Sequence, residues 1–414
     1  MTVEKLVALN RVIQGSKNAP FYRARLPEVP LSTWADLKNL PLTTKDDLRR
    51  ASPFDLLAVP REEVVQYHES SGTTGEPVSI WFTRDDVVYN AQQIARCGVG
   101  FCPSDIVLIR FPYALSAAAH MVHAAAQLRG ACVVPAGGRT SVTPFPKVVD
   151  LMHRLGVTVL TCLSLQAVMI AEVAEMMGLK PRHDFPRLRA ICAAGETLPP
   201  GRRKLLEELW GVTVYDFYGM TEIGTAVVDC EALVPHPIED DFVFEILDDD
   251  LQSDVPTGEF GHLVVTTLKK RATPMIRYVT GDRARFVEKP CACGRTTALE
   301  IRGRQEDALH IDRVRLDLWD LDAVVSRLPC RRFWAAAPMP DGVHLVVEEE
   351  TGREQLPDGL TALLEKEYRV KWRIDIVPKG TLYDRQQMFE IGLLGKPKYL
   401  YTAQEMKFLL EKEK

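Results

Sequence analysis

A chain of 414 residues with 46% hydrophobic content exceeds what one compact core usually holds, so two domains are expected, and nothing in the composition marks a disordered protein. The balance of 51 Lys and Arg against 56 Asp and Glu leaves a net charge of -5, with no basic run long enough to track a phosphodiester backbone, which argues against nucleic acid as a partner. No apolar run approaches membrane-spanning length and the start, Met1-Thr2-Val3-Glu4-Lys5-Leu6, lacks the charged-then-apolar pattern of a signal peptide, so a cytoplasmic protein with no membrane partner is expected.

The first informative stretch is Ser70-Ser71-Gly72-Thr73-Thr74-Gly75-Glu76-Pro77. Small residues let the backbone turn tightly, so successive N-H groups and four hydroxyls can converge on an anion such as a nucleotide phosphate. It is not a P-loop, because no glycine pair is followed by Lys-Ser or Lys-Thr at the required spacing. Read alone, such a run is more often a flexible turn or linker.

From Ile106 to Asp216 short apolar strands alternate with amphipathic helices. The strands are Val107-Leu108-Ile109, Cys132-Val133-Val134, Val157-Thr158-Val159-Leu160, Ala190-Ile191-Cys192 and Val212-Thr213-Val214-Tyr215; helices are expected near 117 to 129, 164 to 178 and 200 to 210. Strands that are apolar throughout and separated by helices predict a parallel sheet covered on both faces, with ligands beyond the strands' carboxyl ends. From Phe242 to Phe286 the texture changes to strands joined by turns, which predicts an antiparallel sheet or barrel. Arg302-Gly303-Arg304-Gln305-Glu306-Asp307 is polar and reads as a hinge. Beyond it, helix 316 to 328, strand Val343 to Val347, helix 355 to 369 and strand Trp372 to Val377 make a small α+β unit.

Nine cysteines are too sparse for a disulfide framework, and those in strand-like contexts, Cys132, Cys162 and Cys192, read as buried thiols. Cys230, His236, Cys291 and Cys293 differ, because they fall in polar, proline-flanked segments read as loops. Three thiolates and one imidazole suit tetrahedral zinc, with reactive or regulatory cysteines as the competing reading.

Three more islands follow the Ser/Thr/Gly loop: Ala194-Gly195-Glu196, then Tyr218-Gly219-Met220-Thr221-Glu222, then Tyr278-Val279-Thr280-Gly281-Asp282. Singly, Tyr218 reads as a core aromatic, Asp282 as a turn residue and Glu222 as an exposed acid. In this order and spacing the islands resemble the adenylate-forming superfamily, and specifically its phenylacetate-coenzyme A ligase-like branch. The resemblance runs from about residue 30 to 304 and more thinly beyond. It is strengthened by the branch-like stretches at 171 to 178 and 258 to 268, and by Pro274-Met275-Ile276-Arg277-Tyr278.

The resemblance implies an α/β fold with a large N-terminal AMP-binding domain, residues 1–304, combining a parallel sheet and helices with an antiparallel β region. A small mobile C-terminal α+β domain, residues 305–414, would follow. The implied activity is ATP-dependent conversion of a carboxylic acid to an acyl-adenylate with release of pyrophosphate, then transfer to coenzyme A as a thioester. The alternative is an acyl or adenylyl transferase, or an amide synthetase, serving an amine, carrier protein or cofactor; a noncatalytic nucleotide-binding relic is a third reading, against which the set Thr221, Glu222, Asp282 and Lys396 argues. A homodimer is left open.

Carried over residue by residue, the pattern sets Ser70, Ser71, Gly72, Thr73, Thr74 and Gly75 around the β- and γ-phosphates. Thr221 lies near the α-phosphate, and Glu222 holds Mg²⁺, a hard cation that takes oxygen ligands. Tyr218 stacks on adenine among Asp216, Phe217, Gly219 and Met220, with Gly195 and Glu196 along its edge. Asp282 takes the ribose hydroxyls, assisted by Arg304. Lys396 in Leu394-Gly395-Lys396-Pro397-Lys398 is the catalytic lysine, with Lys398 next in line, and Glu306 occupies the hinge. The branch carries cysteines and a histidine at the zinc positions, where four ligands and no vacancy imply a structural role. The acid is expected near Tyr113, Ala118, His120, Cys192, Phe217 and Gly219, and without an acidic residue in Phe111-Pro112-Tyr113-Ala114 to pair an amine, an aryl or fatty acid is favoured over an amino acid. One departure concerns the thioester step: the branch has a glycine and an asparagine in the pantetheine loop where this chain has Arg313 and Arg315, residues that could block a thiol tunnel or receive an anionic carrier.

Overall fold

A computed structural model describes residues 2–70, 76–390 and 397–411. The chain forms two compact units, one of Met1–Gly137, Val159–Thr161 and Tyr215–Ile301, the other of Gly138–Thr158, Cys162–Val214 and Arg302–Lys414.

In the first unit, strand Ile106–Ile109 lies between Cys132–Val134 and Val159–Cys162, parallel to both. Helix Ala117–Leu128 makes the crossover, burying Ala117, Ala119, Met121, Val122, Ala125 and Ala126 on one face at helical spacing. The small residues let this helix sit close to its neighbours, and Gly130 at φ +80° ends the turn that follows it. Cys162 and Cys192 are buried as expected, but Cys132 is exposed. It begins a short strand whose other residues are only half-buried, and an apolar sequence does not distinguish such a strand from a buried one.

The strand expected from Val157 begins at Val159, and the one expected from Val212 begins at Thr213 and runs on to Met220, so the Tyr218-Gly219-Met220 island belongs to a strand. It pairs antiparallel with Gly224–Asp229, which pairs in turn with Pro235–Pro237. Phe242–Leu247, Gly261–Thr267, Tyr278–Glu288 and Thr297–Arg304 follow as a four-stranded sheet in sequence order, its first two junctions antiparallel.

Before residue 302, the described part of the second unit holds strand Ala190–Ala193 and the helices Phe145–Leu155, Ser164–Met176 and Pro200–Trp210. Pro200–Trp210 starts with proline and stops at Gly211 with φ +70°, the favoured way to open and close a helix. Ser164–Met176 is buried from Ser164 to Ala174, so it is a core helix rather than an amphipathic one. Its one buried acid, Glu172, is 1% exposed and meets Lys379 Nζ at 2.6 Å, Arg332 Nη1 at 2.7 Å and Arg385 Nε at 3.1 Å. Burial pushes the Glu172 carboxyl up, but the hydrogen bonds from Lys379 and Arg332 and the charge of Arg385 outweigh it and hold it below the usual range.

The C-terminal part of this unit opens with hairpin Ala308–Ile311 and Val314–Asp317, then helix Leu318–Val325, which Asp317 caps with a reciprocal bond to Asp320. A three-stranded sheet follows, Trp334–Met339 antiparallel to Gly342–Glu348 and the latter parallel to Lys371–Val377, with Leu360–Tyr368 as the crossover helix. The sequence reading overextends the two helices: residues 316 and 317 end the preceding strand, 326 and 327 are a turn, and 355–359 are irregular chain and turn. No described helix is long and apolar enough to cross a membrane.

Candidate active site

The hairpin Thr213–Met220 to Gly224–Asp229 shapes the centre of the site. A bulge separates the pairs Tyr218 with Val227 and Gly219 with Thr225, and such an insertion re-aims the side chain beside it. Two glycines make the turn between these strands feasible. A Cβ on Gly219 would lie 2.4 Å from the carbonyl oxygen of Gly224, and Gly224 itself has φ +89° and would drive a Cβ to 2.6 Å from Asn90 Oδ1. Thr221 and Glu222 occupy the turn so formed.

Across from it, strand Tyr278–Glu288 carries Asp282, which is therefore a strand residue, 4% exposed. The hydroxyl of Tyr218 donates to Asp282 Oδ2 at 2.6 Å. Tyr218 is half-buried, so its ring keeps an open side while its hydroxyl is fixed. Asp216 donates its main-chain N-H to Asp229 Oδ2 at 2.8 Å, and Phe217 is buried edge-on to Phe111 with centroids 6.5 Å apart. Met220 and Thr221 remain half-buried.

Glu222 is not an exposed acid: it is 3% exposed. Among the described residues its carboxylate receives no hydrogen bond, and the cation paired with it is Lys45, whose Nζ lies 3.7 Å away. Neither Lys45 nor the nearby Lys270 belongs to the motif islands. Lys45 is delivered by the first turn of helix Lys45–Arg50, which Thr44 and Asp47 cap reciprocally. The segment before it is pinned to the Asp282 strand: Thr43 N donates to Arg277 O at 2.9 Å, Val279 N to Thr43 O at 2.9 Å, and Thr43 Oγ1 to Ile276 O at 2.8 Å. Arg277, at φ +46°, forks onto both oxygens of Glu245 at 3.1 and 2.9 Å and also donates to the carbonyls of Lys38 and Leu40. The contacts of residues 38–43 with Ile276, Arg277 and Val279 span more than two hundred residues of sequence, so no local pattern announces them.

Ser70 is buried, donating N-H to Val78 O at 3.0 Å while its Oγ accepts from Val78 N at 3.2 Å. Ser71, Gly72, Thr73, Thr74 and Gly75 lie outside the described residues, as does Lys396. Lys398 is described, and its Nζ is engaged by Glu405 at 2.6 Å.

The expected acyl-pocket residues of the first unit cluster. His120 Nε2 meets Tyr113 O at 3.0 Å, Tyr113 Oη meets His123 Nδ1 at 3.2 Å, and the His68 and His120 rings lie 5.1 Å apart. Ala118 is half-buried on the same helix. Burial, then the charge His120 would carry, holds His68 down to about 4 and lowers His123; burial pushes the Tyr113 phenol up to about 12. Near neutral pH these three groups carry no charge.

In the second unit Cys192 is fully buried. Gly195 has φ +80°, with Leu163 Cδ2 3.1 Å from where its Cβ would be. The Glu196 carboxylate accepts from Ser164 Oγ at 2.7 Å and Leu165 N at 2.8 Å, which fixes the start of helix Ser164–Met176. Arg304 and Glu306 flank the turn into the 308–317 hairpin, with Glu306 exposed. Arg313 is exposed at the hairpin tip, beside Asp312 at φ +51°. Arg315 folds back onto Asp317 at 3.1 Å and reaches the carbonyls of Arg304 and Gln305 at 3.5 and 3.4 Å.

Cys230, His236, Cys291 and Cys293 converge, their ligand atoms all within 4.8 Å of one another. His236 lies on strand Pro235–Pro237 and is fully buried, and Cys230 is buried too, so only the other two keep the polar, accessible character that the sequence suggests. Cys230 Sγ is 3.5 Å from Cys291 Sγ, and Cys293 Sγ is 3.3 Å from His236 Nε2. Zinc–sulfur bonds of about 2.3 Å put tetrahedral sulfurs about 3.8 Å apart, so the separation suits a shared ion. His236 Nδ1 meets Thr297 O at 2.6 Å, which leaves Nε2 facing the thiols. The Cys291 thiol is brought down to about 6, chiefly by the backbone N-H of Cys293 and by His236, whereas burial raises Cys230.

A phenol fixed on a buried aspartate and a buried, weakly paired glutamate on a glycine-bounded turn thus stand together on an α/β framework. The family model for AMP-binding enzymes matches residues 24–268, and the chain belongs to that family, in its phenylacetate-coenzyme A ligase-like branch. It is 34% identical over 327 residues to phenylacetate-coenzyme A ligase of Thermus thermophilus, covering 76% of this chain and 72% of that one. The Escherichia coli phenylacetate-coenzyme A ligase is 32% identical over 312 residues, 72% of this chain and 70% of its own. In structure the chain is similar to 2-hydroxyisobutyryl-CoA ligase in the postadenylation state, with a TM-score of 0.86 at 23% identity over 99% of this chain and 91% of the other.

Proposed function

We propose that this protein is an AMP-forming acid-coenzyme A ligase acting on an aryl or fatty acid, and that its two half-reactions use the residues as follows. An oxygen of the acid's carboxylate attacks the α-phosphorus of ATP, the bond to the bridging oxygen breaks, and pyrophosphate leaves with that electron pair. The thiol of coenzyme A, giving up its proton to solvent, then attacks the acyl carbon; a carbon–sulfur bond forms, the acyl carbon–oxygen bond to the phosphate breaks, and AMP departs with that electron pair. The first displacement is mostly positioning and charge neutralisation.

The single observation that carries the reading is the joint placement of Tyr218, Glu222 and Asp282 about one hairpin of the first unit. Asp282 receives the ribose hydroxyls and fixes Tyr218, whose ring packs on adenine beside Asp216, Phe217, Gly219 and Met220. Thr221 binds the α-phosphate. Mg²⁺, when bound, neutralises phosphate charge as a Lewis acid, and Glu222 offers it a carboxylate that no described residue bonds directly. Residues 70–75 take the β- and γ-phosphates, and Lys396 the developing charge at the α-phosphate. We assign residues 1–304 and 305–414 as the functional domains, with Arg304 and Glu306 at the hinge, and Gly195 and Glu196 at the adenine edge.

The aryl or fatty acid is supported by the uncharged wall of Tyr113, His123 and His68 around Ala118 and His120. Such a wall accepts an apolar body, whereas a substrate ammonium would lack a countercharge. Coenzyme A is favoured as the acceptor by the likeness to the phenylacetate-coenzyme A ligases, and Arg315, committed to Asp317 and the hinge carbonyls, gives the carrier alternative no support. Cys230, His236, Cys291 and Cys293 are assigned to structural zinc. A cytoplasmic location follows from the supply of ATP and coenzyme A. Pyrophosphate exchange across a panel of carboxylic acids, with and without coenzyme A, tests the reading: exchange plus thioester supports it, exchange alone gives the transferase, and binding without exchange rejects catalysis.

A further inference from the structure

The Thr221–Glu222 turn hangs on a lysine outside every motif discussed above. Lys270 is 8% exposed, and its ammonium donates to the main-chain carbonyls of Glu222 at 2.5 Å and Thr221 at 3.3 Å. It also faces the Phe82 ring, 4.8 Å from the centroid. Its nearest countercharges are Asp86 and Glu222, and burial, opposed by those two carboxylates, lowers its pKa to about 8. Asp86 is already engaged, accepting from the N-H and hydroxyl of Thr83 at 2.8 and 2.9 Å and from the N-H groups of Arg271 and Ala272 at 2.7 and 3.0 Å. The directional bonds of the ammonium therefore go to the turn.

Taking an ammonium out of water costs several kcal/mol, and an unbranched apolar side chain would fill the same space without that penalty. The surroundings show what the lysine adds. Helix Arg84–Ile94 fixes both parties to this contact: Asp86 ties down residues 271 and 272 beside the lysine, while Gln93 Oε1 accepts from Thr225 N at 3.1 Å, just after the turn and next to Gly224. The carbonyls of 221 and 222 are then held by Lys270 itself.

We propose that Lys270 is a positioning residue for adenylation: by gripping the carbonyl oxygens of Thr221 and Glu222, it aims the Thr221 hydroxyl and the Glu222 carboxylate at the nucleotide's phosphates and divalent cation. This rests on the adenylation reading above. The test uses the full chain, and wild-type pyrophosphate exchange with an acid from the panel is established first. Its absence rejects the assigned reaction, whereas the outcomes below bear on Lys270 alone.

Lys270→Met and Lys270→Gln both end one bond short of Nζ; Met removes the donor and Gln keeps one. Exchange is read per ATP-binding molecule, with ATP affinity measured separately by calorimetry. The Met variant should lose about 10²-fold in kcat, the size seen when one oriented donor is lost, with ATP affinity within about threefold of wild type, and the Gln variant should fall between the two. A Met variant exchanging at the wild-type rate overturns the proposal. So does an equal loss of ATP affinity and kcat, which would make Lys270 part of the binding scaffold. Should Met fail to fold, a Gln variant with undiminished exchange overturns it, and failure of both to fold assigns Lys270 to the core and overturns it as well.

Discussion

Glu172 and Glu222 are both acids sealed from water, and the molecule treats them in opposite ways. Glu172 sits in a core helix with three cations within 3.1 Å, Arg332 among them also pairing with Glu175 and Glu350. Glu222 has a lysine at 3.7 Å and no hydrogen bond from the described residues. A saturated carboxylate has no lone pair to offer and serves cohesion. An under-bonded one, held on a turn between two close-approach glycines, is poised to take a ligand. Burial alone therefore does not distinguish a structural acid from a functional one; the number of donors does.

That contrast can be broken by mutation, and the largest effect should come from the group that completes the charge at the phosphates. Lys396→Ala should abolish pyrophosphate exchange while sparing ATP binding, with Lys398→Ala near wild type because Lys398 is occupied by Glu405. The reverse pattern in an exchange assay would reassign the lysine. Next, Glu222→Gln should cut exchange by about 10²- to 10³-fold with the melting temperature within a few degrees, since little bonding is lost. A collapse in stability with per-site activity intact would erase the distinction from Glu172.

The converse holds for Glu172→Gln, which leaves Lys379, Arg332 and Arg385 facing one another and should cost about 3 to 5 kcal/mol in chemical denaturation, with kcat per folded molecule unchanged. The same site predicts acid sensitivity. The Glu172 carboxyl is held below its unfolded value, so its stabilisation is complete above about pH 4.5 and lost as pH falls through the folded value. Denaturation of the Gln variant should depend less on pH below 4.5 than that of wild type; equal slopes would discount the network. The smallest effect on chemistry is expected at the cysteine cluster, where stoichiometric zinc should accompany protein purified without chelator and Cys291→Ser should lower stability without changing exchange per site. Metal-free protein of full stability would remove the zinc assignment.

Much of this was legible in the sequence. The alternation of apolar strands and helices from Ile106 to Asp216 located the strands and the helices Ala117–Leu128, Ser164–Met176 and Pro200–Trp210, because period and strand apolarity are local properties, but it missed helix Phe145–Leu155 between the second and third of those strands. Tyr218 and Asp282, 64 residues apart, were named from their motifs and meet in the structure. Lys45 and Lys270 were not legible, since each reaches Glu222 through pairings set by remote segments, and a Thr-capped helix start or a Lys-Lys pair looks ordinary in isolation. Cys132 misled for a related reason: an apolar triplet does not reveal whether its strand will be covered.

Arg277 extends these ideas to inheritance and drift. Its left-handed backbone and fivefold donor fork lash the 38–40 segment to the strand bearing Asp282, and Lys45 rides on that same lashing. A point-charge lysine could not span Glu245 and two carbonyls at once, so a saturation scan scored on turnover should find position 277 nearly as intolerant as the residues that meet the nucleotide, though it touches none of it.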